Sequence, residues 1–261
     1  MTTQPRVKVP LKTIALPNEH GGWGFTLEPV LLGLLVAPTL AGLGLGVFAL
    51  AAFFTRHPLK LWLADVRKGK RFPRTPIAGR FALAYGTLGV LGLSLAFLGA
   101  RGPFYWPLLA ALPLVAIQLW FDAHNQGRNL LPEISGATAM GSIAAAIALA
   151  AGMEPRMALG LWLVLAMRAL VAIFYARTQV MRARGVPVKL GPAYAAEALA
   201  LSLLILAAAF GLVPWLSVLA IGLLLSFSLY TFARPPVPAK VVGWTQLGFG
   251  LLVVLLTALG V

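Results

Sequence analysis

The chain has 261 residues, 60% of them hydrophobic and only 11% charged, whereas a soluble domain carries roughly 25% charged residues to face water. An ordinary globular domain is thereby excluded, and the absence of cysteine also excludes disulfides, thiolate metal sites, iron–sulfur clusters and cysteine nucleophiles. The net charge of +14, from 21 Lys/Arg against 7 Asp/Glu, reads in a membrane chain as a basic face against anionic headgroups; no nucleic-acid partner is expected.

The N-terminal stretch, residues 1–24, carries prolines and no continuous apolar core, so it reads as a cytoplasmic segment and not as a cleaved signal peptide. Beyond it, continuous apolar runs near 25–41, 43–63, 80–99, 105–121, 134–152, 157–175, 191–210, 215–232 and 243–260 are each close to the roughly 20 residues that a spanning helix needs. The runs do not alternate, which excludes membrane strands. The expected fold is an all-α polytopic membrane protein of about nine transmembrane helices, or eight if the first two fuse around Gly42. The whole of 1–261 reads as one membrane domain.

Orientation follows from charge. With the N-terminus inside, 18 of the 21 Lys/Arg fall at or inside the cytoplasmic boundary, Arg168 falls within a span, and only Arg101 and Arg156 fall outside. Positive charge stays on the inner side, so the expectation is N-terminus cytoplasmic and C-terminus outside.

Four polar groups stand out, in chain order. Glu19–Trp23 (EHGGW) sets an acid beside a base before the first span. Glu28 follows inside that span, where a carboxylate is expensive and marks function by default. Glu19, His20 and Glu28 are the candidates for moving a proton, with an interfacial turn anchored by Trp23 as the structural alternative. The stretch 53–80 then brings Arg56, His57 and Lys60 to the hydrocarbon boundary. Arg56 and Lys60 are i,i+4 neighbours and repel, so an acid from another helix or an anionic ligand must offset them. Pro58 would kink this helix end and open space there. Arg67, Lys68, Lys70, Arg71 and Arg74 read as contacts to lipid phosphate.

Gln118, Asp122, Asn125 and Asn129 recur at spacings of 4, 3 and 4, one helical face that suits either a ligand or a neighbouring helix; Arg128 and Glu133 follow. Arg168, Tyr175, Gln179 and Arg182, at spacings of 7, 4 and 3, form a second stripe, with Arg177 beside it. Arg168 sits deep in its span and needs an acid or a polar cavity; Glu197 in the next span is the nearest acid along the chain. His20, His57 and His124 lie on different segments and read as ordinary polar residues, so no metal and no cofactor is expected.

The run EHGGW, followed by RHPLKLWLAD and RNLLPEISG, resembles the YwiC-like family of bacterial membrane proteins over nearly the whole chain. The wider layout is similar to the UbiA superfamily of intramembrane prenyltransferases. That resemblance implies a UbiA-like bundle in a bacterial plasma (inner) membrane, with a cytoplasm-facing cavity bordered by the loops after spans two and six. In that superfamily both loops carry aspartate-rich motifs that hold magnesium and a prenyl diphosphate. Here the matching stretches keep only Asp65, and no carboxylate occurs between Glu154 and Glu197. Magnesium needs hard oxygen ligands, so magnesium-dependent prenyl transfer does not carry over.

The expectation is therefore a basic, inward-facing cavity that binds an amphipathic anion such as an isoprenoid (di)phosphate or lipid, with metal-independent transferase or lyase chemistry implied. Its lining would be Arg56, His57, Lys60, Asp122, Asn125, Arg128, Arg168, Tyr175, Arg177, Gln179, Arg182 and Glu197, and membrane lipids would surround it. Two other readings stay open at this stage: a small-anion permease, and a non-catalytic assembly partner.

Overall fold

The computed structural model describes residues 11–17, 20–69 and 72–261, with residues 20 and 21 as backbone only. Glu19 and the His20 imidazole, two of the expected proton-transfer groups, lie outside the described residues, as do Lys70 and Arg71.

Every regular element among the described residues is a helix: α1 (Leu11–Ala15), α2 (His20–Val36), α3 (Leu40–Arg67), α4 (Thr75–Gly99), α5 (Tyr105–Ala123), α6 (Leu130–Ala150), α7 (Pro155–Ala183), α8 (Gly191–Ala209), α9 (Trp215–Phe232) and α10 (Ala239–Gly260). Prolines set several starts, at Pro155 in α7 and Pro192 in α8, where a missing N–H is harmless. Glycines with positive φ set the stops, as at Gly152 after α6 and Gly185 after α7.

Eight helices, α3 to α10, are long and apolar enough to cross a membrane. The chain is thus an all-α, multi-pass membrane protein. The first expected span differs. It ends at Val36 rather than near residue 41, because Pro38 cannot continue the helix and Thr39 caps the next one, its side chain accepting a hydrogen bond from Gly42 N at 3.0 Å. The 17 residues of α2 rise about 26 Å, short of the ~30 Å hydrocarbon core. In turn α3 is longer than expected, running unbroken through Pro58 to Arg67.

The hub is α6, built largely of alanine: Ala144, Ala145, Ala146, Ile147, Ala148 and Ala150 are all buried. It packs against α2, α3, α5 and α7 at once, and only small side chains let four neighbours approach one helix. The helices α4 and α5 lie at the periphery and turn Leu83, Leu98, Trp106 and Trp120 outward, the surface expected of lipid-facing spans. One apolar core joins α2, α3, α6 and α7, and a second joins α7, α8, α9 and α10. The shared helix, α7, carries the site described next.

Candidate functional site

Three helices bring polar groups together inside the bundle. Arg168, 1% exposed, projects from α7. Its Nη1 donates to Gln246 Oε1 at 3.1 Å and its Nη2 to the Gln246 carbonyl at 2.5 Å, both on α10. The same Nη2 lies 3.5 Å from Glu28 Oε1 on α2. Gly250, one turn beyond Gln246, makes room for this pair: a β-carbon there would overlap the Glu28 carboxylate.

Two donors at this site lack an acceptor. Arg168 Nε and Gln246 Nε2 are buried and have no hydrogen-bond partner. Native structures pair nearly all buried polar atoms, and in hydrocarbon no water replaces a missing acceptor. One N–H of the Arg168 guanidinium and the side-chain amide of Gln246 are thus buried side by side with nothing to bind.

The expected Arg168–Glu197 pair is thereby corrected: Glu28 is the acid at Arg168. Glu197 is buried on α8, and neither of its oxygens has a hydrogen-bond partner. The rest of the stripe runs along α7 toward α9. Tyr175 donates to Thr231 Oγ1 at 3.1 Å, and Gln179 Nε2 reaches the Tyr175 hydroxyl at 3.4 Å. Arg182 donates to Gln179 Oε1 at 3.1 Å and to the carbonyls of Phe232 and Arg234 at 3.0 and 2.9 Å. It closes the C-terminal end of α9, where orphan carbonyls need donors and the helix dipole favours a cation.

The expected cluster after span two also has protein partners. Asp122 on α5 supplies the acid that the Arg56–Lys60 repulsion called for, accepting from Arg56 Nε at 2.8 Å with Nη2 at 2.6 Å. His57 Nε2 lies 3.0 Å from the Thr13 carbonyl, and the Tyr85 hydroxyl donates to the Ala15 carbonyl at 3.3 Å; together they hold α1 against α3 and α4. Lys60 is exposed. Trp23 packs its ring edge-on against Phe53 and Phe54, with centroids 5.6 and 5.4 Å away.

The single face expected for Gln118 to Asn129 is not formed. The helix α5 stops at Ala123, and Asn125 takes a left-handed φ of 57° that turns the chain. Gln118 packs on Gly136 of α6, while Asn125, Arg128 and Asn129 are exposed. The turn nevertheless links two ion pairs. Gly127 abuts Asp122 and Arg56, and the Arg128 carbonyl accepts from Arg177 Nη1 at 2.9 Å, the atom that also meets Glu133 Oε2 at 2.9 Å. This turn thereby bridges Arg56 of α3 and Arg177 near the end of α7.

Asp65 is committed to structure. It accepts from Arg74 Nη2 at 2.8 Å, Arg74 Nε at 3.1 Å and Thr75 Oγ1 at 2.8 Å, and so closes the α3–α4 turn. Arg74, assigned from sequence to lipid phosphate, is its partner; its hydrogen bond to this carboxylate raises the guanidinium pKa above its ordinary value. Arg74→Ala should lower stability by roughly 1–2 kcal/mol, since it strands a buried carboxylate; thermal unfolding in detergent measures the loss.

Sequence reasoning passed over Gln246 and Gly250. The signal was present in GWTQLGFG, a lone amide inside an apolar run with a glycine one turn on, and polar residues inside spans deserve a functional hypothesis.

A multi-pass bundle of helices enclosing a buried arginine and glutamate with a half-buried glutamine is the class of protein that these contacts define. The chain belongs to the YwiC-like family: the model of the YwiC-like protein family matches residues 16–148. No curated protein and no solved structure matches it. Glu28, Arg56 and Asp122 lie within the matched segment, and Arg168 and Gln246 lie beyond it.

Proposed function

We propose that this protein binds the negatively charged group of an amphipathic molecule, a phosphate or carboxylate on a hydrocarbon tail, at Arg168 within the bundle. The observation that carries this reading is the surplus of donors there, Arg168 Nε and Gln246 Nε2, buried and without acceptors. An anionic headgroup satisfies both, and the apolar walls of α2, α7 and α10 accept the tail. The other arginines of the expected lining support the reading by elimination: Arg56, Arg177 and Arg182 already have protein acceptors, and Arg128 is exposed.

On this reading the chain is UbiA-like in layout, with cations in place of the aspartate-rich motifs, and its chemistry is metal-independent transfer or lysis. Asp65, the one acid left in the first of those stretches, is held by Arg74 and Thr75. The basic end faces the cytoplasm of a bacterial inner membrane, with the N-terminus inside and the C-terminus outside. For that parity α2 crosses the membrane with 17 residues, at the short end of the spanning range of roughly 17–25.

The test is binding of farnesyl phosphate and of palmitate to the protein in nanodiscs, followed by native mass spectrometry. The wild-type protein should bind at least one probe in a one-to-one complex. Arg168→Lys, which keeps the charge but loses the planar fork, should bind it about tenfold more weakly, while Lys60→Ala should bind unchanged. Equal binding by wild type and Arg168→Lys, or no binding of either probe, overturns the reading.

A further inference from the structure

We propose that Glu197 is a proton-binding site inside the bundle, holding an exchangeable proton at neutral pH, separate from the Arg168 centre. Glu197 lies in the first half of α8 and is 1% exposed. Its own helix surrounds it with the buried Ala193, Ala196 and Ala200. Neither carboxylate oxygen has a partner that meets hydrogen-bond geometry; the buried Ser228 hydroxyl of α9 is the polar group facing it.

No cation is available to it from the helices packed against α8. That neighbour α9 contains no Lys, Arg or His, and its one titratable side chain, Tyr230, is exposed. On the other neighbour, α7, Arg168 is engaged by Gln246 and Glu28, Tyr175 donates to Thr231, Arg177 is held by Glu133, and Arg182 closes the end of α9. Arg156, at the far end of α7, reaches toward the Phe210 carbonyl. On α8 itself the titratable neighbour is Tyr194, packed edge-on against Phe232.

A carboxylate buried without a counter-charge is among the most unfavourable groups in an apolar medium, and it takes up a proton instead of remaining ionised. The step is proton binding alone: one carboxylate oxygen gains H⁺ from water, and the resulting O–H is free to donate to the Ser228 oxygen. No cofactor or co-reactant enters.

Infrared spectroscopy of the reconstituted protein at neutral pH tests this, as the difference between wild type and Glu197→Gln. The expected result is a carbonyl stretch of a neutral carboxylic acid, present in wild type, missing in the variant and shifted in D₂O. Carboxylate stretches in its place, which would mean an ionised Glu197 holding a cation, overturn the proposal. Should Glu197→Gln fail to fold, labelling of the wild-type protein with dicyclohexylcarbodiimide decides. That reagent attacks protonated carboxyls in apolar surroundings, so Glu197 should be modified, and less so as pH rises. No modification at any pH shows that the site does not exchange a proton. Arg168→Lys should leave both signals unchanged, which separates this site from the anion reading.

Discussion

Replacing Arg168 with methionine should destabilise the folded protein by about 3–5 kcal/mol, the range for removing one partner of a buried ion pair. The loss does not come from the attraction between Arg168 and Glu28, which at 3.5 Å is not a close contact. It comes from what is left behind. Glu28 would stay in the middle of the bundle, tucked against Gly250, with its counter-charge gone. The Gln246 carbonyl and side-chain oxygen would lose their donors as well. Thermal unfolding followed by light scattering or size exclusion measures the drop. The control is the double variant Arg168→Met/Glu28→Gln, which removes both charges and should recover most of the lost stability, since an apolar replacement of a whole buried pair is often neutral. If the double variant is no more stable than the single one, the pairing of these two residues is wrong.

Gly92→Leu should be comparably damaging, by about 3 kcal/mol or more, for a different reason. A β-carbon on Gly92 would stand 2.6 Å from the Gly44 carbonyl oxygen and 2.9 Å from Phe48 N. The relation is reciprocal: a β-carbon on Gly44 would stand 2.5 Å from the Gly92 carbonyl. These are backbone atoms of two helices, and no rotamer change relieves the overlap. The backbones of α3 and α4 come together at these glycines because hydrocarbon supplies no hydrophobic force between helices, leaving close van der Waals packing to hold them. Separating them would also disturb the Asp65–Arg74 turn that joins them. Gly86→Leu on the same helix is the control, because a β-carbon there meets nothing within 4 Å; its unfolding temperature should stay close to that of the wild type.

The membrane class was legible because composition alone forbids a water-facing surface. The helices were legible because most apolar runs are followed closely by a proline or glycine that also ends the helix. Boundaries failed where a competing local rule acted: Pro38 and Thr39 moved the first break, and the left-handed Asn125 ended a face that spacing had extended. Arg168 was recognisable as a functional candidate from depth alone. Its partner was not. Chain proximity pointed to Glu197 on the adjoining helix, yet the guanidinium turns toward α2 and α10, and no periodicity within α7 says which remote helix will meet it. The Arg56–Asp122 pair was half legible. Repulsion from Lys60 demanded an acid, but only the packed bundle shows that α5 supplies it.

The order in which Glu28, Arg168 and Gln246 emerge has a consequence for biogenesis. The acid arrives with α2, its guanidinium partner only after the four helices α3 to α6 have been made, and the amide with α10. During synthesis Glu28 must therefore wait in the insertion machinery or in the lipid with no counter-ion. A chain truncated before α10 would leave Arg168 facing hydrocarbon where Gln246 belongs, giving quality-control proteases a reason to discard incomplete copies.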